Sequence, residues 1–360
     1  VRRVDQVIPS LTARDAIGAH TLALTEALRA RGIPSDIYYG TCTDDVADRA
    51  RPLSSLGRAS RDRWLLYQAS IGSPVFDVVA GRPEVTLVNY HNITPAELLQ
   101  WWEPAVAYEV GVGRAQLGRL AAQCHLAIAD SAFNERELTA LGYRHTAVSS
   151  LLIDTAPAPP DPALARRLAE ARADGSPDFL FVGKVSPHKA QHDLVKMLSV
   201  YRRLYHPGAR LHLVGSALGT TYGPALEAFV AELGLTRAVS VTGSITAGEL
   251  EAYYRGCDVF VCASEHEGFC VPLIEAMAHG LPVVAYASSA VPETVGEAGL
   301  LLDAKSPLRM AATVQRVVTD ARLRSALVDL GRDRAAAFSL EHARRHFVDL
   351  VARAIAVEAA

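Results

Sequence analysis

The sequence predicts two doubly wound α/β domains facing one another across a cleft. Three observations lead there. The chain has 360 residues, more than a single hydrophobic core usually serves. Short β-branched or aromatic runs alternate with longer helical patterns, the rhythm of parallel βα units. That rhythm breaks near the middle of the chain and then begins again.

In the first half the strand-like runs are residues 4–9, 36–39, 64–68, 85–91, 125–129 and 146–151. The run that starts at Val85 is apolar at most positions, as expected of a strand covered on both faces. Between the first two runs, residues 19–30 place leucines at 22, 24 and 28 before meeting Gly32 and Pro34, which end a helix. Residues 156–177 hold Pro157, Pro159, Pro160 and Pro162, then a polar helix, then Asp174-Gly175-Ser176-Pro177, the texture of an interdomain connection. The second series of strands is 179–182, 211–214, 239–242, 259–262, 283–286 and 300–302. The expected division is an N-terminal domain over residues 1–155, a linker over 156–177, a C-terminal domain over 178–338, and a helix over 339–360 that packs on either domain.

Half of the residues are hydrophobic and 21% are charged, with a net charge of -3. Such a composition excludes a disordered chain and lacks the basic excess of nucleic-acid binders. The five cysteines include no CxxC pair, so neither a disulfide framework nor a zinc site has its usual spacing, and they read as reduced thiols. No apolar run approaches the roughly 20 residues that span a bilayer, and the first residues show no signal-peptide core. The expectation is a cytoplasmic protein.

Chemistry concentrates after the run 259–262, in Glu267-Gly268-Phe269-Cys270-Val271-Pro272-Leu273-Ile274-Glu275. Pro272 suits the start of a helix, Gly280 its exit, and Pro282 bars continuation. The loop therefore lies at the carboxyl end of a parallel strand, where open α/β sheets bind ligands. Free N–H groups at the helix start favour an anion such as a diphosphate, while carboxylates accept hydrogen bonds from vicinal sugar hydroxyls. On the residues alone a second reading stands beside this one: Glu275 offsets the helix dipole and Glu267 is a solvated loop acid.

The segment resembles the signature of family 4 of the retaining glycosyltransferases, in which seven residues separate two glutamates. The two-domain rhythm is similar to that family's GT-B fold, and the resemblance covers essentially the whole chain, most densely over residues 179–302. It implies that Glu275 binds the donor ribose, and that Glu267 with the backbone at Gly268 and Phe269 contacts the transferred sugar. Cys270 belongs to the same donor-binding stretch but stands where the family usually has a second glycine. Phe181-Val182-Gly183-Lys184, with Lys189 five residues on, resembles the family's phosphate-binding element. A glycine there lets the backbone approach a ligand, and Lys184 and Lys189 neutralise the leaving diphosphate. Family members usually carry Arg at the first of these two positions, and lysine lacks its bidentate fork.

In the first half, Asp15-Ala16-Ile17-Gly18-Ala19-His20 is similar to the family's glycine loop. His91 ends a strand where the family often places a histidine against the donor sugar, and Ser131 follows another strand, where it touches the donor or caps the next helix. The implied catalytic set is His91, Glu267 and Lys189. Gly18, Ser131, Gly183, Lys184, Lys189, Gly268, Phe269, Cys270 and Glu275 form the donor-binding set. No Asp-x-Asp stands at a strand end, so no metal and no cofactor is expected. The implied reaction moves a hexose-type sugar from a nucleoside-diphosphate sugar to an acceptor hydroxyl with retention of configuration, the leaving phosphate taking the acceptor proton. The partners are these two substrates, with no nucleic acid. Competing readings are a sugar-phosphate phosphorylase or nucleotide-sugar-processing enzyme on the same fold, and a non-catalytic nucleotide-binding protein. Arg49, Arg51, Arg58, Arg61 and Arg63, with Trp101 and Trp102, suggest weak peripheral contact with an anionic membrane; a solvated basic loop and packed aromatics are the simpler reading.

Overall fold

A computed structural model of the chain describes residues 2–12, 15–217 and 221–357. It divides into two compact units, one of Val1–Ala96, Ala105–Asp154 and Phe338–Ala360, the other of Glu97–Pro104 and Thr155–Ala337.

The first unit is built on a parallel sheet of β1 (Arg3–Leu11), β2 (Ile37–Cys42), β3 (Arg51–Pro52), β4 (Arg63–Ala69), β5 (Val85–Tyr90), β6 (Cys124–Ala129) and β7 (Thr146–Val148). Their order is β3-β2-β1-β4-β5-β6-β7. The second has β8 (Asp178–Val182), β9 (Arg210–Val214), β10 (Val239–Val241), β11 (Val259–Cys262), β12 (Val283–Tyr286) and β13 (Gly299–Leu302), ordered β10-β9-β8-β11-β12-β13. Both sheets reverse their strand order once, between β1 and β4 and between β8 and β11, which is the doubly wound arrangement. The twelve expected strands are present. The two-residue β3 escaped prediction because an edge pairing of Arg51 and Pro52 has no apolar alternation to reveal it.

Burial explains why the strands were legible. Trp64, Leu65, Leu66 and Tyr67 of β4 are all buried, as are Phe260, Val261 and Cys262 of β11, because helices cover both faces of a parallel sheet. The terminal helix Leu340–Val357 packs in the first unit. Its Ala343, Phe347, Val348, Val351 and Ala354 recur at helical spacing and join Val4, Leu28, Trp64 and Leu87 in one core cluster. The proline-rich stretch leads into a helix, Pro162–Ala171, whose cap Asp161 accepts from Leu164 N at 2.6 Å. That helix lies on the second unit's Ala247–Gly256 helix, where Leu168 closes against Gly256. Arg172 beyond it binds the Gly256 carbonyl and Asp258. By these contacts the stretch is part of the second unit.

Candidate functional site

In the second unit the strand order reverses between β8 and β11, and the two segments singled out by sequence leave the carboxyl ends of these two strands. A crevice at such a switch point is where doubly wound sheets take ligands. Gly183 follows β8 with φ 154° and Gly215 follows β9 with φ 150°. A Cβ on Gly215 would stand 2.1 Å from the Gly183 carbonyl oxygen, so Gly215 is needed for the close passage of two backbones, whereas a Cβ on Gly183 would press on the Phe181 ring at 3.1 Å. Sequence reasoning missed Gly215, whose signal was a glycine directly after a neighbouring strand.

Past Gly183 the chain makes a short 3-10 turn, Pro187–Lys189, and Ala190 takes a left-handed conformation with φ 50°. This turn delivers Lys189 to Glu267, with Nζ donating to Oε2 at 2.6 Å. The side chains are 19% and 8% exposed. Burial opposes the charge on Lys189, but the Glu267 carboxylate outweighs it and the ammonium's pKa is raised. Burial, with Lys189 alongside, pushes the neighbouring His188 well below its ordinary value, which keeps that imidazole neutral. Lys184 lies exposed nearby in sequence, so the two lysines expected to act alike differ: one is paired inside the crevice, the other is at the surface.

The loop carrying Glu267 is pinned from β12's side of the sheet. Glu267 N–H donates to Ser289 Oγ at 2.7 Å, Thr294 Oγ1 donates to the Phe269 carbonyl at 2.5 Å, and Ser288 Oγ donates to the Ser264 carbonyl at 2.6 Å. Cys270 caps the helix Val271–Ala278 in a left-handed conformation, φ 70° and ψ 66°, a region that costs a side chain about 1–2 kcal/mol and glycine almost nothing. That backbone accounts for why a glycine suits this position, and cysteine holds it under strain. Cys262 and Cys270 are both buried, and the interaction of the two neighbouring thiols raises the pKa of Cys270 and lowers that of Cys262.

Glu275 lies in the second turn of that helix. Tyr254 Oη donates to its Oε2 at 2.7 Å, and the Tyr254 ring stacks on His279 at 4.8 Å. Burial raises the pKa of Glu275, opposed by the Tyr254 hydrogen bond. His279 is fixed in turn by Glu251, 2.9 Å from its Nε2, and Glu251 also holds Arg255 and the Ala158 N–H. Tyr254 was not foreseen, since a tyrosine 21 residues upstream on another helix leaves no local pattern.

The first unit places its expected residues at the carboxyl ends of its own sheet. Gly18 sits in the first turn of the helix Ala16–Ala30, capped by Asp15, and a Cβ there would overlap the Thr12 carbonyl. The glycine is therefore required by backbone packing. Ser131 caps the helix Ala132–Ala140 by accepting from Asn134 N at 3.1 Å. His91 has a ring 1% exposed, with Nδ1 2.9 Å from Asp130 Oδ2 and Nε2 2.6 Å from Gln68 Oε1. A chain of hydrogen bonds sets the polarity. Gln6 Nε2 must donate to the Thr21 carbonyl, so Gln6 Oε1 accepts from Gln68 Nε2, and Gln68 Oε1 accepts from His91 Nε2. Both ring nitrogens of His91 are thus engaged within the unit. Beneath it His20 is fully buried, and burial and then His91 push its pKa well below the ordinary value.

The arginines of the first unit are largely internal partners. Arg63 contacts Asp5, Arg49 pairs with Glu26, and Arg51 approaches Asp36. Trp102 meets Tyr222 edge-on at 5.7 Å, whereas Trp101 is 85% exposed. Among the described residues, no helix is long and apolar enough to cross a membrane.

Two parallel-sheet units of Rossmann type, the second with lysines and glutamates at its switch point, define a protein of the GT-B glycosyltransferase fold. Solved structures of that fold superpose over nearly the whole chain. Sucrose-phosphate synthase from Thermosynechococcus elongatus covers 99% of this chain and 100% of its own, with TM-score 0.75 and 20% identity. Anabaena HepE in complex with UDP-glucose covers 97% and 99%, with TM-score 0.77 and 17% identity. In sequence, residues 166–334 match the family model described as glycosyl transferases group 1, a span that lies within the second unit. The D-inositol 3-phosphate glycosyltransferase of Stackebrandtia nassauensis is 34% identical over 187 residues, 49% of this chain and 42% of the relative. A GDP-mannose-dependent alpha-(1-6)-phosphatidylinositol monomannoside mannosyltransferase of Mycobacterium tuberculosis is 31% identical over 191 residues, 50% and 49%. The chain thus spans about half the length of the curated relatives it matches. By these likenesses the matched span, residues 166–334, is similar to group 1 glycosyltransferases.

Proposed function

We propose that the chain is a retaining, metal-independent glycosyltransferase that moves a hexose-type sugar from a nucleoside-diphosphate sugar to an acceptor hydroxyl. The observation that carries this reading is the Lys189–Glu267 pair at the β8/β11 switch point, with Glu275 on the helix that follows. A diphosphate supplies an anion for Lys189 and for the exposed Lys184, and stabilising the charge that develops on the leaving group is the main contribution of such donors. Glu267, released from Lys189, accepts from hydroxyls of the transferred sugar. Glu275, oriented by Tyr254, accepts from the ribose. The leaving phosphate takes the acceptor proton, so no protein nucleophile is required. In the first unit the His91 ring is 1% exposed and both its nitrogens are engaged by Asp130 and Gln68, so contact with a sugar would require one of those bonds to open.

The matched relatives are named as sugar transferases, one GDP-mannose-dependent, and HepE was solved with UDP-glucose, which supports a nucleotide-sugar donor. A thermal-shift screen with UDP, GDP, ADP and dTDP tests the reading, because a ligand that binds the folded state raises its stability. One nucleotide is expected to raise Tm, and its sugar conjugates to release nucleoside diphosphate when an acceptor is present. No shift with any of the four, and no nucleotide release, refutes it. Weak peripheral membrane contact rests on the exposure of Trp101, and salt-sensitive flotation with anionic liposomes tests it.

A further inference from the structure

Two cysteines and a glutamate that the sequence keeps apart meet in the crevice. The Sγ atoms of Cys262 and Cys270 and a carboxylate oxygen of Glu267 all lie within 4.8 Å of one another, and all three residues are buried. Cys262 ends β11, Glu267 lies in the loop, and Cys270 caps the next helix. A zinc ion with bonds of about 2.3 Å to sulfur and about 2.1 Å to oxygen in tetrahedral geometry holds its ligand atoms roughly 3.5–3.8 Å apart. The three donors thus need to close in by no more than about 1.0–1.3 Å.

We propose that Cys262, Cys270 and Glu267 form a binding site for a thiophilic divalent cation of the zinc class, and that its occupation withdraws Glu267 from the sugar donor. The second half rests on the functional reading above. Three features favour the site. Thiolate ligands select zinc-like ions over magnesium or calcium, so this is not a site for a cation assisting diphosphate departure. Cys270 keeps its thiol there at the cost of a left-handed backbone, φ 70°, which glycine would adopt freely. Charge balances in both states. With the site empty, the neutral thiols leave the Glu267 carboxylate opposite the Lys189 ammonium. With it filled, two S–H protons leave to solvent, and two thiolates, the carboxylate, the 2+ ion and the Lys189 ammonium again sum to zero. The fourth coordination position is open to water.

The test is an optical titration with Co²⁺, whose thiolate charge-transfer band and tetrahedral visible bands report the ligand set without any nucleotide. One equivalent is expected to bind, to release about two protons and to be displaced by Zn²⁺ but not by Mg²⁺. Cys270→Gly, which suits the backbone, and Cys262→Ser should each weaken binding by tenfold or more and remove the charge-transfer band, with circular dichroism confirming the fold. Cys42→Ser and Cys124→Ser should leave both unchanged. A band that survives Cys262→Ser and Cys270→Gly, or no stoichiometric band in the wild type, overturns the site. In donor turnover, Zn²⁺ should inhibit the wild type, and Cys262→Ser should resist. Inhibition that Cys262→Ser does not relieve overturns the regulatory half. An optical site in a protein that turns over no nucleotide sugar upholds the metal site and refutes the transferase reading alone.

Discussion

Replacing Lys189 by Met keeps most of the side chain's bulk and removes the ammonium that lies 2.6 Å from Glu267 Oε2. The carboxylate left behind is 8% exposed, so it has neither a cation nor full solvation. Stranding one partner of a buried pair costs about 3–5 kcal/mol, and the 19% exposure of Lys189 argues for the lower end. The raised pKa of Lys189 means that its contribution is complete below the ordinary lysine value and is lost only as pH rises through the folded one. The expected loss is about 3 kcal/mol at pH 7. Urea unfolding of wild type, Lys189→Met, Glu267→Gln and the double variant measures it. The double variant should be more stable than Lys189→Met, since no charge is stranded in it. A loss for Lys189→Met under about 0.5 kcal/mol would show that the pair behaves like a surface ion pair and refute the reasoning.

Other substitutions probe the remaining contacts. Burial raises the pKa of Glu275, so its contribution to stability is present at acid pH and is lost as pH rises toward neutrality; Glu275→Gln should raise the Tm of the ligand-free protein at pH 7 but not near pH 4, while weakening nucleoside-diphosphate binding tenfold or more. Tyr254→Phe retains the ring stacked on His279 but loses a hydrogen bond that lowers the pKa of Glu275, so the acid limb of nucleotide binding should move to higher pH in calorimetric titrations. Gly215→Ala drives a Cβ to 2.1 Å from the Gly183 carbonyl oxygen and should lower Tm sharply, whereas Gly111→Ala, in open space on the helix Pro104–Leu120, should stabilise by about 0.5–1 kcal/mol. Phe347→Ala empties a fully buried site where the terminal helix meets β1 and β4 residues and should cost about 3–5 kcal/mol in urea unfolding.

The central strands were readable because runs such as 64–67 and 259–262 are buried along their whole length in a sheet covered on both faces and have no other use for so many β-branched and aromatic residues. The site segments were readable because Pro272 and Gly280 frame one short helix and because glycine and lysine follow a strand. What stayed hidden is pairing. Lys189 and Glu267 are 78 residues apart and Tyr254 and Glu275 are 21 apart, and no local period couples such positions. The cysteines illustrate the limit more sharply: a search for CxxC passes over two thiols eight positions apart, although a strand end followed by a loop and a helix cap brings them within 4.8 Å. The role expected of His91 met another obstacle, since strand position places a ring in sequence but does not reveal that Asp130 and Gln68 occupy both its nitrogens.

The Lys189–Glu267 contact also constrains what the crevice binds well. A free phosphate that captures Lys189 leaves Glu267 as a buried carboxylate without its cation, and a free sugar that engages Glu267 leaves the lysine charge uncompensated; each incurs a penalty of the size worked out above. A ligand with an anion and hydroxyl donors a few bonds apart satisfies both partners at once, so opening the ion pair strands neither. A nucleoside-diphosphate sugar has that construction, with ribose hydroxyls besides for Glu275. On the proposed reading the closed pair is thus a filter: separate diphosphate and sugar should bind more weakly than their conjugate by more than linkage alone accounts for, and Glu267→Gln should narrow that gap by removing the charge that lone phosphate strands.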